Sequence, residues 1–180
     1  MKLPRNQKII TLIVITAVPL VGTASAYGAA TTAITMTVTS SIAAVPGLTI
    51  SAPGTVSLGT SVAFPATFTI VFPGQVAVTD TRGSSTNWDS SVLISALTPV
   101  SGGPTIPASI FSYNPGVVVP TGTGTLVGSV ASSPATPSTV VTARSVTTNV
   151  SATWTPTLTI NEPDAPATGS YTGTVTSSVF

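Results

Sequence analysis

Strict alternation between apolar and hydroxyl-bearing side chains is the dominant pattern of this chain. Residues 152–160 read ATWTPTLTI, in which every second residue is a threonine. Side chains of an extended strand point alternately to its two faces, so this pattern predicts a strand with one buried face. Pro156 has no backbone N–H to donate to a neighbouring strand, which predicts that this strand lies at a sheet edge or contains a bulge.

Other segments alternate in the same way or are rich in β-branched residues, and clusters of Gly, Pro, Ser and Asn separate them. They are residues 33–39, 67–72, 75–80, 90–97, 109–113, 124–130, 138–143 and 170–179. We find no amphipathic helix, no composition shift and no internal repeat in residues 27–180. The pattern therefore predicts an all-β fold, a single antiparallel β-sandwich of about seven to nine strands.

The N-terminus has the three parts of a secretory signal peptide. A basic segment, MKLPRNQK, precedes an uncharged apolar run at residues 9–21, and the small residues GTASA follow. We predict that residues 1–26 form a signal-peptide helix that is cleaved after Ala26, leaving a sandwich domain at 27–180. A retained membrane anchor is the alternative, but the apolar run is shorter than the roughly 20 residues that span a bilayer.

Charge and missing residue types exclude several functions. Charged residues make up 5% of the chain, against about 25% in typical domains. Residues 27–180 contain two arginines against four carboxylates, a net charge of −2, which disfavours nucleic acid and anionic lipid as partners. The chain has no Cys and no His, and no Lys beyond residue 8. The Cys and Lys nucleophiles are therefore missing, as is His, the commonest general base and metal ligand, and we predict no enzyme, no cofactor and no metal site.

Residues 80–92, DTRGSSTNWDSSV, combine rare charges with a tryptophan. Asp80 and Arg82 lie on the same side of an extended chain and can form an ion pair. The flanking strands place the intervening polar residues at the tip of a hairpin or of a longer β-connection. We favour a hairpin that this ion pair holds in place, with Trp88 packed into the sandwich.

Two functional interpretations of the same stretch compete with the hairpin. Asp80 and Asp89 could form the carboxylate pair of a glycoside hydrolase, although nothing near them indicates a substrate groove. Asp80, Asn87 and Asp89 could supply oxygen ligands to calcium. Arg82 in their midst disfavours that interpretation.

Two longer segments, residues 76–95 and 151–179, resemble the WxL-domain surface proteins of Gram-positive bacteria and their secreted actinobacterial relatives. Those proteins combine a D-x-R-G … W hairpin with a C-terminal strand containing proline, glycine and tyrosine at fixed spacing. The matching residues here are Asp80, Arg82, Gly83 and Trp88, followed by Pro163 or Pro166, Gly169, Tyr171, Gly173 and Val175. The resemblance implies a secreted domain that attaches non-covalently to the cell wall, with peptidoglycan as the partner.

The chain departs from that family at the motif after which it is named. Asp89 and Ser90 follow the first tryptophan, and Ser177-Ser178-Val179 stands where the distal W-x-L is expected. The resemblance therefore implies the fold and export, but not wall binding through paired W-x-L motifs.

We accordingly expect an exported, non-catalytic cell-surface or extracellular-matrix protein, structural or non-covalently associated with the envelope. Its expected partners are a wall polymer, other envelope proteins or further copies of itself, and it meets the membrane only through an uncleaved signal segment. The alternative is a module that binds wall polymer or carbohydrate through exposed tryptophan. Its candidate binding residues are Asp80, Arg82, Trp88 and Trp154, although we favour core packing for both tryptophans.

Overall fold

The computed structural model describes residues 33–42, 46–57, 66–83, 85–162 and 170–180. The predicted signal peptide at 1–26, with its helix, lies outside these residues. The described residues form strands and one 3₁₀ turn, Ala108–Ile110, and they contain no helix long and apolar enough to cross a bilayer. In chain order the strands are β1 Ala33–Ile42, β2 Leu48–Ser51, β3 Thr55–Ser57, β4 Ala66–Val71, β5 Val76–Asp80, β6 Trp88–Ile94, β7 Thr98–Pro99, β8 Phe111–Asn114, β9 Val118–Thr121, β10 Thr125–Gly128, β11 Ala131–Ser132, β12 Ser138–Arg144, β13 Ser151–Trp154, β14 Thr157–Glu162 and β15 Ser170–Val179.

These strands form three sheets that share one core. The large sheet has the order β10-β12-β6-β15-β1-β3, with β7 also paired to β15. The first small sheet has the order β2-β5-β13-β9, and the second has the order β11-β8-β14-β4. Strands of all three sheets contribute their apolar faces to one buried cluster, which includes both tryptophans. The predicted all-β sandwich is therefore confirmed.

Each predicted strand segment overlaps at least one strand, but the described residues form fifteen strands rather than seven to nine. The additional ones are short, such as β3, β7 and β11, and they lie in or near turn-rich segments where alternation is too brief to recognise. The predicted strand 152–160 is two strands. It breaks at Thr155-Pro156, so that β13 belongs to the first small sheet and β14 to the second. Pro156 thus marks a crossing between sheets.

The predicted hairpin at residues 80–92 is wrong, and the longer β-connection is right. β5 pairs with β2 and β13 in the first small sheet, whereas β6 pairs with β12 and β15 in the large sheet. The intervening residues, which we call the 81–87 connection, therefore carry the chain from one sheet to another.

The large sheet also contains a parallel pair that the prediction of an antiparallel sandwich did not include. β1 runs parallel to β15 over ten residues, from Ala33 opposite Ser170 to Ile42 opposite Val179. The two strands read AITMTVTSSI and SYTGTVTSSV. Our statement that the chain has no internal repeat is therefore wrong, because these paired strands repeat one sequence.

Candidate functional site

Asp80 and Arg82 form a two-point ion pair where β5 enters the 81–87 connection. Arg82 Nε donates to Asp80 Oδ1 at 2.9 Å, and Arg82 Nη2 donates to Oδ2 at 2.9 Å. The backbone N–H of Arg82 donates to the same Oδ1 at 3.1 Å, which closes a local turn. The Asp80 side chain is 0% exposed and that of Arg82 is 10% exposed. The predicted pair is thus present and almost fully removed from solvent.

The guanidinium of Arg82 also holds the far end of the connection. Its Nη2 donates to the carbonyl of Thr86 at 2.8 Å, and longer contacts of 3.5 Å reach the carbonyl of Asn87. One cation therefore bridges the end of β5 and the start of β6. Because the five donors of a guanidinium lie in a fixed plane, this bridge fixes the path of the backbone as well as balancing charge.

Three consecutive residues on the neighbouring chain segment bind the connection from the other side. Asn149 Oδ1 accepts from the backbone N–H of Gly83 at 2.7 Å, and Ser151 Oγ accepts from that of Asp80 at 3.1 Å. Between them, the carbonyl of Val150 accepts from Trp88 Nε1 at 2.8 Å. Sequence reasoning missed this segment, because neither residue type nor spacing indicates that it would meet a connection more than 60 residues away.

Trp88 lies at the base of this arrangement, fully inside the core. It is 1% exposed, and its single polar atom is satisfied by Val150. Trp154 is likewise 1% exposed, and its Nε1 donates to the hydroxyl of Tyr113 at 3.2 Å. Burial raises the pKa of that hydroxyl, so Tyr113 stays neutral. The hypothesis of an exposed tryptophan that stacks on a glycan is therefore wrong for both residues.

Asp89 forms its own ion pair, with Arg144. Arg144 Nη2 donates to Asp89 Oδ2 at 2.9 Å, and Arg144 Nη1 donates to the carbonyl of Trp88 at 3.3 Å. The side chains of this second pair are 46% exposed for Arg144 and 26% for Asp89. The hydrogen bond to Asp89 raises the pKa of Arg144, which stays charged.

This arrangement supports neither chemistry proposed for the stretch. A hydrolase needs one carboxylate free to donate a proton and another free to attack or to activate water. Here each aspartate is occupied by an arginine, and Asp80 has no exposed side-chain surface. No group of three His, Cys, Asp or Glu side chains that could hold a metal ion occurs among the described residues. Of the four candidate binding residues, Asp80, Arg82 and Trp88 are brought together as a structural clamp, and Trp154 lies elsewhere in the core.

The pH dependence of stability provides a test of this clamp. Burial by itself raises the pKa of Asp80, but hydrogen bonds from the Arg82 side chain and backbone, its charge, and the backbone of Val150 together hold that pKa below its ordinary value of 3.8. A lowered folded-state pKa means that the stabilisation is complete above the unfolded-state pKa and is lost as pH falls through the folded-state value. We expect the free energy of unfolding to fall on acidification between about pH 5 and pH 1.

The matching variant is Arg82→Ala, in which a buried carboxyl without its cation has a raised pKa. Protonation then favours the folded state, so its stability deficit relative to the unsubstituted chain should shrink as pH falls. Urea unfolding at a series of pH values measures both curves. A deficit that stays constant across the acid range would contradict a buried, paired Asp80.

A shallow hollow on the large sheet is the other polar feature of the described surface. It has a volume of about 530 Å³. It lies beside Ser95, whose side-chain Oγ, rather than a backbone carbonyl, accepts the hydrogen bond from the backbone N–H of Thr174 at 2.9 Å. The lining consists of hydroxyl groups and backbone, with no charge: Ser95, Ala96, Thr98, Thr172, Gly173 and Thr174. Such a surface can offer hydrogen bonds to a neutral polyol, but it contains no group for catalysis.

No family model matches this chain, and no curated protein matches it either. The fold and the clamp are therefore the basis for a functional proposal.

Proposed function

We propose that this chain is an exported, non-catalytic structural protein of the cell surface or extracellular matrix, associated non-covalently with the envelope. The proposal rests on what the charged side chains bind. Both arginines of residues 27–180 and both aspartates that the structure describes form ion pairs within the fold. The functional groups that usually bind polyanions, metals or reactive substrates are thereby engaged in holding the fold.

Apart from the partly exposed Arg144–Asp89 pair, the described surface is mostly hydroxyl-rich and aliphatic. Threonines and serines alternate outward along the strands, and the exposed large apolar residues are Val71, Val100, Val117, Val119, Val127, Val130 and Phe180. The resemblance to WxL-domain surface proteins favours the same setting, and membership in that group is part of the proposal.

Wall-polymer binding is the second candidate, and the hydroxyl-lined hollow is the observation that favours it. Incubation with purified Gram-positive cell walls separates the two functions. A binding module should saturate with a defined affinity, be competed by soluble glycan, and lose affinity when Thr98→Lys fills the hollow. A structural protein should bind weakly, without saturation, and the variant should change nothing.

Export makes a separate prediction about the N-terminus. If residues 1–26 are removed as a signal peptide, intact-mass and N-terminal peptide measurements on material secreted by the native host should identify Tyr27 as the first residue. A control with Ala24→Arg and Ala26→Arg, which removes the small residues of the cleavage site, should retain the segment. Secreted protein that still begins at Met1 or Lys2 would contradict the prediction.

A further inference from the structure

The two strands that repeat each other are also direct partners in the large sheet. Six of the ten registered positions carry identical residues in β1 and β15, and at the last position Ile42 lies opposite Val179. The identical pairs are Thr35 with Thr172, Thr37 with Thr174, Val38 with Val175, Thr39 with Thr176, Ser40 with Ser177 and Ser41 with Ser178. The shared sequence therefore lies against itself, in parallel and without a shift.

At two of the four positions where the strands differ, β15 has another close neighbour. Tyr171 pairs with Pro99 of β7. A side chain at Gly173 would put its Cβ 2.6 Å from Leu97 Cδ2, so a larger residue at this position requires the buried Leu97 side chain to move. Opposite these residues β1 carries Ile34 and Met36. The other two differences lie at the ends of the pair, where Ala33 is opposite Ser170 and Ile42 is opposite Val179.

Parallel, in-register pairing of one sequence with itself is how separate copies of a chain stack in extended β-assemblies. Every backbone contact that β1 makes with β15 is equally available from β1 of a second copy. Within its own copy, β1 has one other strand partner among the described residues, β3, over only three registered positions, Thr35 to Thr37. β1 is also the first described strand, so exchanging it leaves the order of the other strands unchanged.

The edge of β15 that faces β1 has to be covered by a strand. Without β1 it would present ten residues with no charge and no proline, and therefore without the features that block pairing with another chain. A strand that carries the same repeat satisfies that edge whether it comes from the same copy or the next. β1 of one copy therefore matches the β15 edge of another copy as well as it matches its own.

We propose that β1 is exchanged between copies of this chain, with β1 of one copy lying along β15 of the next. Because the donor strand and the acceptor edge are different surfaces, the contact is head-to-tail and extends into a linear assembly unless the rotation closes a ring. The inference deepens the proposed function, on which it rests for its biological purpose, since a linear assembly is a structural role. The pairing itself can be tested without reference to location or partners.

The chain contains no cysteine, so introduced cysteines report strand neighbours without interference. Thr37→Cys in β1 and Thr174→Cys in β15 are opposite one another, and Thr174 is exposed. A size-tagged Thr37→Cys copy and an untagged Thr174→Cys copy are refolded together from urea at micromolar concentration and then oxidised. We expect a disulfide-linked heterodimer as the main product, and a ladder of covalent oligomers from the double variant.

The control pairs Thr37→Cys with Thr176→Cys, two residues out of register. That offset is about 7 Å along the strand, and with the spacing between strands it exceeds the separation that a disulfide can bridge. The control should therefore give little heterodimer.

Two results would overturn strand exchange. One is a double variant that oxidises only within single copies, with no heterodimer in the mixture. The other is equal crosslinking of the in-register and control pairs, which would indicate unspecific collision. Either result would leave export and envelope association standing, because those are tested by secretion and by wall binding.

Discussion

Trp88→Ala should lower the free energy of unfolding by about 3–5 kcal/mol, the usual cost of emptying a large aromatic site in a core. The ring is 1% exposed and lies at the junction of the large sheet with the 81–87 connection. Its loss would leave a cavity and would also leave the buried carbonyl of Val150 without its donor. Since domains of this kind are stable by only about 5–15 kcal/mol, the variant should unfold at much lower urea concentration.

Two further variants separate the packing of Trp88 from its hydrogen bond. Trp88→Phe keeps most of the apolar volume but removes the Nε1 donor, so it should cost about 1–3 kcal/mol for the unsatisfied carbonyl. Val127→Ala, at a side chain that is exposed on β10, should stay within about 0.5 kcal/mol. Urea midpoints at constant slope give all three values. Native-like stability of Trp88→Ala would show that the ring is not a core residue.

The strand positions were predictable because alternation is a local property. β5, with its pattern of buried and exposed residues, can be recognised from five letters of sequence. The partners of a strand are not local. QVAVTD and SSVLISAL look like two arms of a hairpin, yet β5 and β6 belong to different sheets. β5 pairs with β13 and β6 pairs with β15, and each of these partners lies 70 residues or more further along the chain. Nothing in the turn residues between them distinguishes a hairpin from a crossing between sheets.

The candidate site was predictable in part for the same reason. Asp80 and Arg82 are two residues apart, so their ion pair follows from strand geometry alone. Asn149 and Ser151, which hold the connection from outside, became neighbours only through the pairing of β13 with β5. The repeat shared by β1 and β15 was present in the letters, but its meaning depends on register, which only the fold provides.

Arg82→Ala should lower the free energy of unfolding by about 3–5 kcal/mol, which is comparable to the loss expected for Trp88→Ala. The substitution removes the cation from a carboxylate that has no exposed surface in the folded chain. It also removes the hydrogen bond from Arg82 Nη2 to the carbonyl of Thr86 at the far end of the 81–87 connection. The expected loss is thus mainly the cost of an unpaired buried charge, and urea unfolding at neutral pH measures it.

The double variant Asp80→Ala/Arg82→Ala should cost less than Arg82→Ala alone, because removing both partners leaves no buried charge to desolvate. Arg144→Ala provides the matched control on the other side of Trp88. Its pair is partly open to solvent, so its loss should lower the free energy of unfolding much less than Arg82→Ala does. Comparing the three losses of stability tests whether burial of the Asp80–Arg82 pair is the cause, because an effect of losing any arginine would make Arg144→Ala equally destabilising. Small and equal losses in all three variants would mean that Asp80 is solvated, and the 81–87 connection would then be held by Asn149, Ser151 and Trp88 without help from charge.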